Sequence, residues 1–172
     1  MDNLRRCLLA CAVFCSMVMV AGSEVGAQEA GVVLSGPQLA RVVPPGFYFE
    51  GQSAPTQMRN AVAARFGAKR HVIAGIVDTS GYSADIRAKY EGFLIADSSI
   101  RLGGETLGVG AYGFGFADDG KLNVFDVGGK QVLSTETKED RALRRPRPLM
   151  MMKSGDEVRL YSGRRYIVVA AQ

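Results

Sequence analysis

Short hydrophobic runs alternate with polar residues from about residue 42 to the C-terminus, and glycine-containing turns separate them. β-branched and aromatic residues dominate these runs, and turn residues recur about every eight to twelve positions, which is typical of antiparallel β proteins. The pattern predicts an all-β fold, a single compact antiparallel sandwich or small barrel of about eight or nine short strands. The alternation alone does not distinguish a sandwich from a barrel.

One segment, Thr56–Phe66, fits two structures. Pro55 and the alanines that follow are compatible with a helix. Met58, Val62, Ala64 and Phe66, in contrast, fall on one face at a period of two, as in a strand, and Arg59 and Arg65 fall on the other. We favour a strand that forms a hairpin with the next run. Further along, Ser83 is a suitable N-cap and predicts one short helix.

Aromatic residues alternate with glycine in the run from Ala111 to Phe116. Tyr112, Phe114 and Phe116 share one face of the predicted strand, whereas Gly110, Gly113 and Gly115 lie on or beside the other face. Such a strand usually allows another backbone or a ligand to come close, or bends at a barrel corner.

The N-terminal segment has the three parts of a secretory signal. Arg5 and Arg6 precede an apolar run over residues 7–21, and Val25-Gly26-Ala27 ends the segment with small residues. We therefore predict three regions: a cleaved signal peptide at 1–27, a flexible N-terminal arm at 28–41 and a β-rich domain at 42–172. The expected location is periplasmic or extracellular. Two alternatives remain: an uncleaved membrane anchor, and a lipid-attached Cys11 after Leu8-Leu9-Ala10.

Cysteine is confined to this segment, at Cys7, Cys11 and Cys15. Cleavage would leave a chain without cysteine, which excludes a disulfide-linked partner, thiol catalysis and cysteine-bound metal. Since the chain has one histidine, we predict no metal site and no cofactor. The segment carries two basic and two acidic residues, so the net charge of +4 is unchanged by its removal.

That histidine, His71, begins an apolar strand. A hydrolase would pair it with Asp78, Asp85 or Ser80, but the sequence has no Gly-x-Ser-x-Gly motif. Asp78-Thr79-Ser80-Gly81 also departs from the Asp-Thr-Gly of aspartic proteases by one inserted serine. A hydrolase is therefore the least favoured class.

A basic cluster is the clearest charge feature. Its arginines are candidate partner-binding residues: Arg141, Arg144, Arg145 and Arg147. Such a cluster suits an envelope protein, a cell-wall polymer or an anionic lipid headgroup, and export disfavours nucleic acid. The alternative is a solvated loop, partly neutralised by Glu136, Glu139 and Asp140.

Aromatic residues supply the candidates for a ligand pocket. Together with His71, these are Tyr82, Tyr90 and Tyr112. In a small barrel such side chains line a cavity. The alternative is that they belong to the core.

Residues Ser99 to Tyr112 (SIRLGGETLGVGAY) resemble a hairpin found in an uncharacterised family of exported bacterial β-rich domains. The resemblance implies a periplasmic or secreted sandwich-like scaffold, and it supplies no catalytic residue.

Three functions follow from these observations. The first is an exported non-enzymatic β-domain that binds a small ligand or an envelope partner. The second is a structural or assembly module of the envelope with no small-molecule site. The third is a hydrolase that uses His71.

Overall fold

Two antiparallel β-sheets are stacked face to face in the computed structural model, which describes residues 31–155 and 157–172. The strands in these ranges form two open sheets rather than a closed barrel, so the fold is a sandwich. The prediction of an all-β domain is confirmed. The predicted signal peptide, with its three cysteines, lies outside the described residues.

The larger sheet has eight strands in the order β1-β3-β4-β5-β8-β9-β10, with β2 also paired to β3. Its strands are β1 (Gly31–Val33), β2 (Gly46–Phe49), β3 (Gln52–Phe66), β4 (Arg70–Val77), β5 (Gly92–Ala96), β8 (Gly110–Phe116), β9 (Lys121–Phe125) and β10 (Gln131–Glu136).

The smaller sheet has six strands in the order β12-β13-β14-β6-β7, with β11 also paired to β14. Its strands are β6 (Ile100–Leu102), β7 (Glu105–Leu107), β11 (Lys138–Glu139), β12 (Arg147–Ser154), β13 (Glu157–Gly163) and β14 (Arg165–Ala171). The last two strands form the predicted terminal hairpin, in which Leu160 lies opposite Ile167.

Hydrophobic side chains at alternate positions of the strands form the main core between the sheets. Leu94 and Phe114 of the larger sheet and Leu160 and Ile167 of the smaller sheet all belong to this core. Each is almost completely buried. Burial of a side chain of this size contributes about 1.5–3 kcal/mol.

A second core covers the outer face of the larger sheet. Phe49, Tyr90 and Phe93 are its largest fully buried members. Two helices flank this layer, α1 (Gly36–Val42) and α2 (Ala84–Lys89). α2 is the helix predicted near Ser83, and the Ser83 hydroxyl caps it by accepting a hydrogen bond from the Ile86 N–H at 3.4 Å.

The ambiguous segment Thr56–Phe66 is strand, as favoured, and forms most of β3. Its hairpin with β4 is confirmed, and Phe66 lies opposite Arg70. Packing on both faces of β3 overrides the helix propensity of its alanines, because Ala63 belongs to the outer core and Ala64 to the main core.

Two expectations differ from the structure. The described residues contain fourteen strands rather than eight or nine. Four of these strands, β1, β6, β7 and β11, have only two or three residues and are too short to alternate visibly. Part of the expected flexible arm is also ordered on the sandwich. β1 pairs with β3, and Leu34 is buried in the outer core.

The glycine face of β8 behaves as predicted, because neighbouring groups fill the missing side-chain positions. A Cβ on Gly113 would lie 2.5 Å from the Phe49 ring, and one on Gly115 would lie 2.2 Å from the Lys89 carbonyl oxygen. These glycines thus let β2 and the end of α2 approach the sheet closely.

Candidate functional site

Five exposed arginines come together at one end of the sandwich. The loop of residues 140–146 joins β11 to β12 and lies against the turn between β13 and β14. The Asp140 N–H donates to the Arg164 carbonyl oxygen at 2.9 Å, and Arg147 lies opposite Gly163. We call this surface the arginine end and define it as Arg141, Arg144, Arg145, Arg147 and Arg164.

Asp140 shapes the loop that carries these arginines. Its carboxylate accepts hydrogen bonds from the Ala142 N–H at 3.1 Å and from the Tyr161 hydroxyl at 3.2 Å. Its backbone carbonyl accepts from the Leu143 N–H at 3.3 Å. The carboxylate is therefore engaged in the loop itself, which is the local pattern of an aspartate in a turn.

Neutralisation of the arginine end is incomplete. Glu139 contacts Arg141, with 3.2 Å between carboxylate oxygen and Nε, whereas Glu136 lies 3.9 Å from Lys121. Among the described residues, the guanidinium groups of Arg144, Arg145 and Arg147 have no hydrogen-bond or ion-pair partner. The loop therefore presents more positive charge than its own carboxylates balance.

An open groove of about 540 Å³ adjoins the arginine end. We call it the end groove. Pro148 and Ser162 form its wall on the smaller sheet, and they are close in sequence to Arg147 and Arg164. The opposite wall comes from β3, the end of β4 and the turn that follows it, α2, and the residues that precede β5. Its residues are Gln57, Ile76, Val77, Asp78, Thr79, Ser80, Arg87, Tyr90 and Glu91.

Two carboxylates with opposite environments line the end groove. The Ser80 N–H donates to the exposed Asp78 carboxylate at 3.0 Å, and hydrogen bonds from Ser80 lower the pKa of Asp78. Burial raises the pKa of Glu91, and a hydrogen bond from the Phe116 backbone and the charge of Arg165 offset only part of that rise. Asp78 is thus a permanent acceptor near neutral pH, whereas Glu91 is the more readily protonated group.

Tyr90 forms part of the groove wall and is only 1% exposed. Its ring stacks on Phe49 at 4.1 Å between centroids and meets Tyr82 edge-on at 5.5 Å. Burial raises the pKa of its hydroxyl far above the usual range. Among the described residues that hydroxyl has no hydrogen-bond partner. A buried polar group left without a partner costs about 1–3 kcal/mol.

His71 lies elsewhere, at the start of β4. Its Nδ1 is 3.0 Å from Asp97 Oδ2, and its backbone N–H donates to Asp97 Oδ1 at 2.6 Å. Asp78 and Ser80, two of its proposed catalytic partners, follow the opposite end of the same strand. Asp97 was not foreseen, because its approach depends on the register between β4 and β5.

The three candidate tyrosines do not meet His71 in one pocket. Tyr82 and Tyr90 belong to the outer core, and the Tyr82 hydroxyl donates to the Gln52 carbonyl oxygen at 2.9 Å. Tyr112 is packed against the core between the sheets. Of these residues, Tyr90 alone lines the end groove.

Sequence reasoning found the arginines of the loop and missed most of the groove. Gln57, Glu91 and Ser162 come from segments far apart in the chain, and no local motif links them. Within residues 31–155 and 157–172, no three histidine, cysteine or acidic side chains are grouped as metal ligands. Neither helix in these ranges is long and apolar enough to cross a membrane.

Comparisons of the chain with protein-family models, curated proteins and solved structures found no match. The candidate site therefore rests on its own geometry and charge.

Proposed function

We propose that this chain is an exported, non-catalytic β-sandwich module that binds an anionic partner in the cell envelope through its arginine end. The observation that carries the proposal is the convergence of five exposed arginines on one surface. The guanidinium groups of four of them have no partner among the described residues. The export component is supported by the signal-like sequence of residues 1–27.

Arginine suits this role because its planar guanidinium donates two parallel hydrogen bonds to carboxylate, phosphate or sulfate groups. The hydrogen bonds of Asp140 hold the loop in place, so less conformational freedom is lost when a partner binds. The site therefore combines a high local charge with a partly organised backbone.

The main alternative is an envelope assembly module that contacts another protein through a different surface. A catalytic role for His71 has less support, since the hydroxyl and carboxylate of Ser80 and Asp78 lie beyond the far end of β4. Substitutions at the arginine end distinguish the proposed binding module from the assembly module, because only the binding module requires these arginine side chains.

The test is a comparison of two double variants with the same change in charge. Arg144→Glu with Arg145→Glu alters the arginine end, whereas Arg59→Glu with Arg101→Glu alters exposed arginines of β3 and β6. Four probes are titrated at fixed salt: oligogalacturonate, a heparin oligosaccharide, oligoglutamate and phosphatidylglycerol vesicles.

We expect the arginine-end variant to bind the anionic probes at least about tenfold more weakly than the wild type, because opposite charges replace attraction by repulsion at short range. The control variant should lose less than about threefold, since it changes only the overall charge. Equal losses in the two variants would show that binding is not localised at the arginine end.

A further inference from the structure

We propose that the end groove is a saccharide-binding subsite, so that the anionic partner is an acidic polysaccharide. This inference rests on the proposed function of the arginine end and specifies its ligand. The groove supplies contacts for one or two sugar units, and the arginines supply contacts for the charged groups of the same chain.

Both hydrogen-bond acceptors and hydrogen-bond donors line the end groove. The Asp78 and Glu91 carboxylates accept hydrogen bonds when ionised. The guanidinium of Arg87 donates, and no other described side chain pairs with it. A ligand that fits must therefore donate and accept at several adjacent atoms. Sugar hydroxyl groups do both.

Other classes of ligand match this lining less well. Two carboxylates in the wall repel an isolated phosphate or sulfate ion, whereas an acidic sugar can place its hydroxyl groups in the groove and its charged group toward the arginines. A purely apolar ligand would bury the carboxyl of Glu91 and the guanidinium of Arg87 without hydrogen bonds, at a cost in free energy. A metal ion would find no group of three suitable ligands within the described ranges.

An extended peptide is also a poorer fit. Peptides that add to a sheet pair with free backbone groups along an edge strand. The end groove instead lies at the end of the sandwich and presents side chains such as Gln57, Asp78 and Ser162, which come from separate elements. This geometry favours a ligand whose polar groups point in several directions, such as a sugar ring.

Tyr90 gives independent support for a ligand at this place. Tyr90 lines the groove, and its hydroxyl is buried and lacks a partner among the described residues, although a buried polar group normally has one. A ligand that reaches this hydroxyl from the groove would supply the missing hydrogen-bond partner. The volume of about 540 Å³ lies within the usual range for small-ligand sites.

Continuity with the arginine end indicates that the ligand is a polymer. Pro148 of the groove wall follows Arg147 directly, and Ser162 is two residues before Arg164. A chain that leaves the groove on this side passes over exposed guanidinium groups. Acidic sugars along that chain would meet the charge that the loop leaves unbalanced.

The test compares probes that carry equal charge with and without sugar. Affinities of the full chain for oligogalacturonate and for oligoglutamate of equal charge are measured by calorimetry, and a heparin oligosaccharide is a second sugar probe. The variants are Glu91→Gln, Asp78→Asn and Tyr90→Phe. The matched control is Glu105→Gln, because Glu105 is exposed on β7 and does not line the groove.

We expect the wild type to bind at least one of the acidic saccharides about tenfold more tightly than oligoglutamate. Each groove variant should reduce this preference at least about threefold, whereas Glu105→Gln should leave it unchanged. Tyr90→Phe is expected to keep or raise the thermal unfolding midpoint, since it removes a buried hydroxyl without a partner. This variant thereby separates loss of binding from loss of folding.

Equal affinity for the saccharides and oligoglutamate would overturn the saccharide subsite while leaving the arginine end intact. A saccharide preference that survives all three groove substitutions would also overturn it. If the arginine-end variant bound every probe normally but the groove variants lost the preference, the proposed function would fail and the subsite would stand.

Discussion

Glu91 shows at the scale of one residue how the groove departs from an ordinary protein surface. Burial raises the pKa of its carboxyl, so its ionised form is less stable in the folded protein than in the unfolded chain. The folded state therefore binds the Glu91 proton more tightly, and the contribution of Glu91 to stability falls as the pH rises from below the unfolded pKa through the folded pKa.

Replacement of Glu91 by Gln should remove this dependence. At pH 7 the variant should be more stable than the wild type by a few tenths to about 1 kcal/mol, because the buried charge is gone. Below pH 4 the two proteins should be equally stable, since Glu91 is then protonated in both states. Urea unfolding at several pH values measures the difference, and a variant less stable than the wild type at pH 7 would contradict this interpretation of Glu91.

Individual residues also show which parts of a site are visible in a sequence. The close approach at Gly113 and Gly115 follows from an alternating aromatic–glycine pattern, and the structure confirms it. The pairing of His71 with Asp97 does not follow from any pattern. It requires the register of two strands, which depends on long-range packing rather than on local preference.

At the scale of secondary structure, the sequence predicts elements that have a strong local signal. The terminal hairpin, the strand at β4 and the helix after Ser83 all have such a signal, in alternation or in a cap. Very short strands have no such local signal. β1, for example, is defined by its pairing with β3 and not by its own three residues.

The ordered part of the expected arm gives a test at this scale. Leu34, just after β1, is 7% exposed, and its N–H donates to the Ala63 carbonyl oxygen at 2.8 Å. Leu34→Ala should therefore lower the free energy of unfolding by about 2–3 kcal/mol, because it leaves a cavity in the outer core. Chemical denaturation with a two-state fit measures this loss.

The matched control for Leu34 is Val32→Ala in the neighbouring strand, where the side chain is 51% exposed. Its cost should be below about 1 kcal/mol. If Leu34→Ala were as mild as this control, residues 31–34 would not contribute to the core, and a flexible arm would be the better description.

At the scale of the whole molecule, the sandwich brings together at one end two features that are separate in the sequence. The arginine loop was visible as a cluster in the chain, and the terminal hairpin adds Arg164 to it. The end groove was not visible, since its walls come from both sheets and meet only through the stacking of those sheets. Fold class and charge were therefore accessible from local patterns, whereas the cavity beside the charge was not.

The most direct test of the central claim is hydrogen–deuterium exchange of the full chain with and without a saturating amount of the tightest-binding probe among the four. Short labelling times resolve the loop amides. We expect slower exchange at residues 140–147 and 162–164 and no change near His71 and Asp97. Protection confined to the His71 end, or to any other surface, would contradict the assignment of binding to the arginine end.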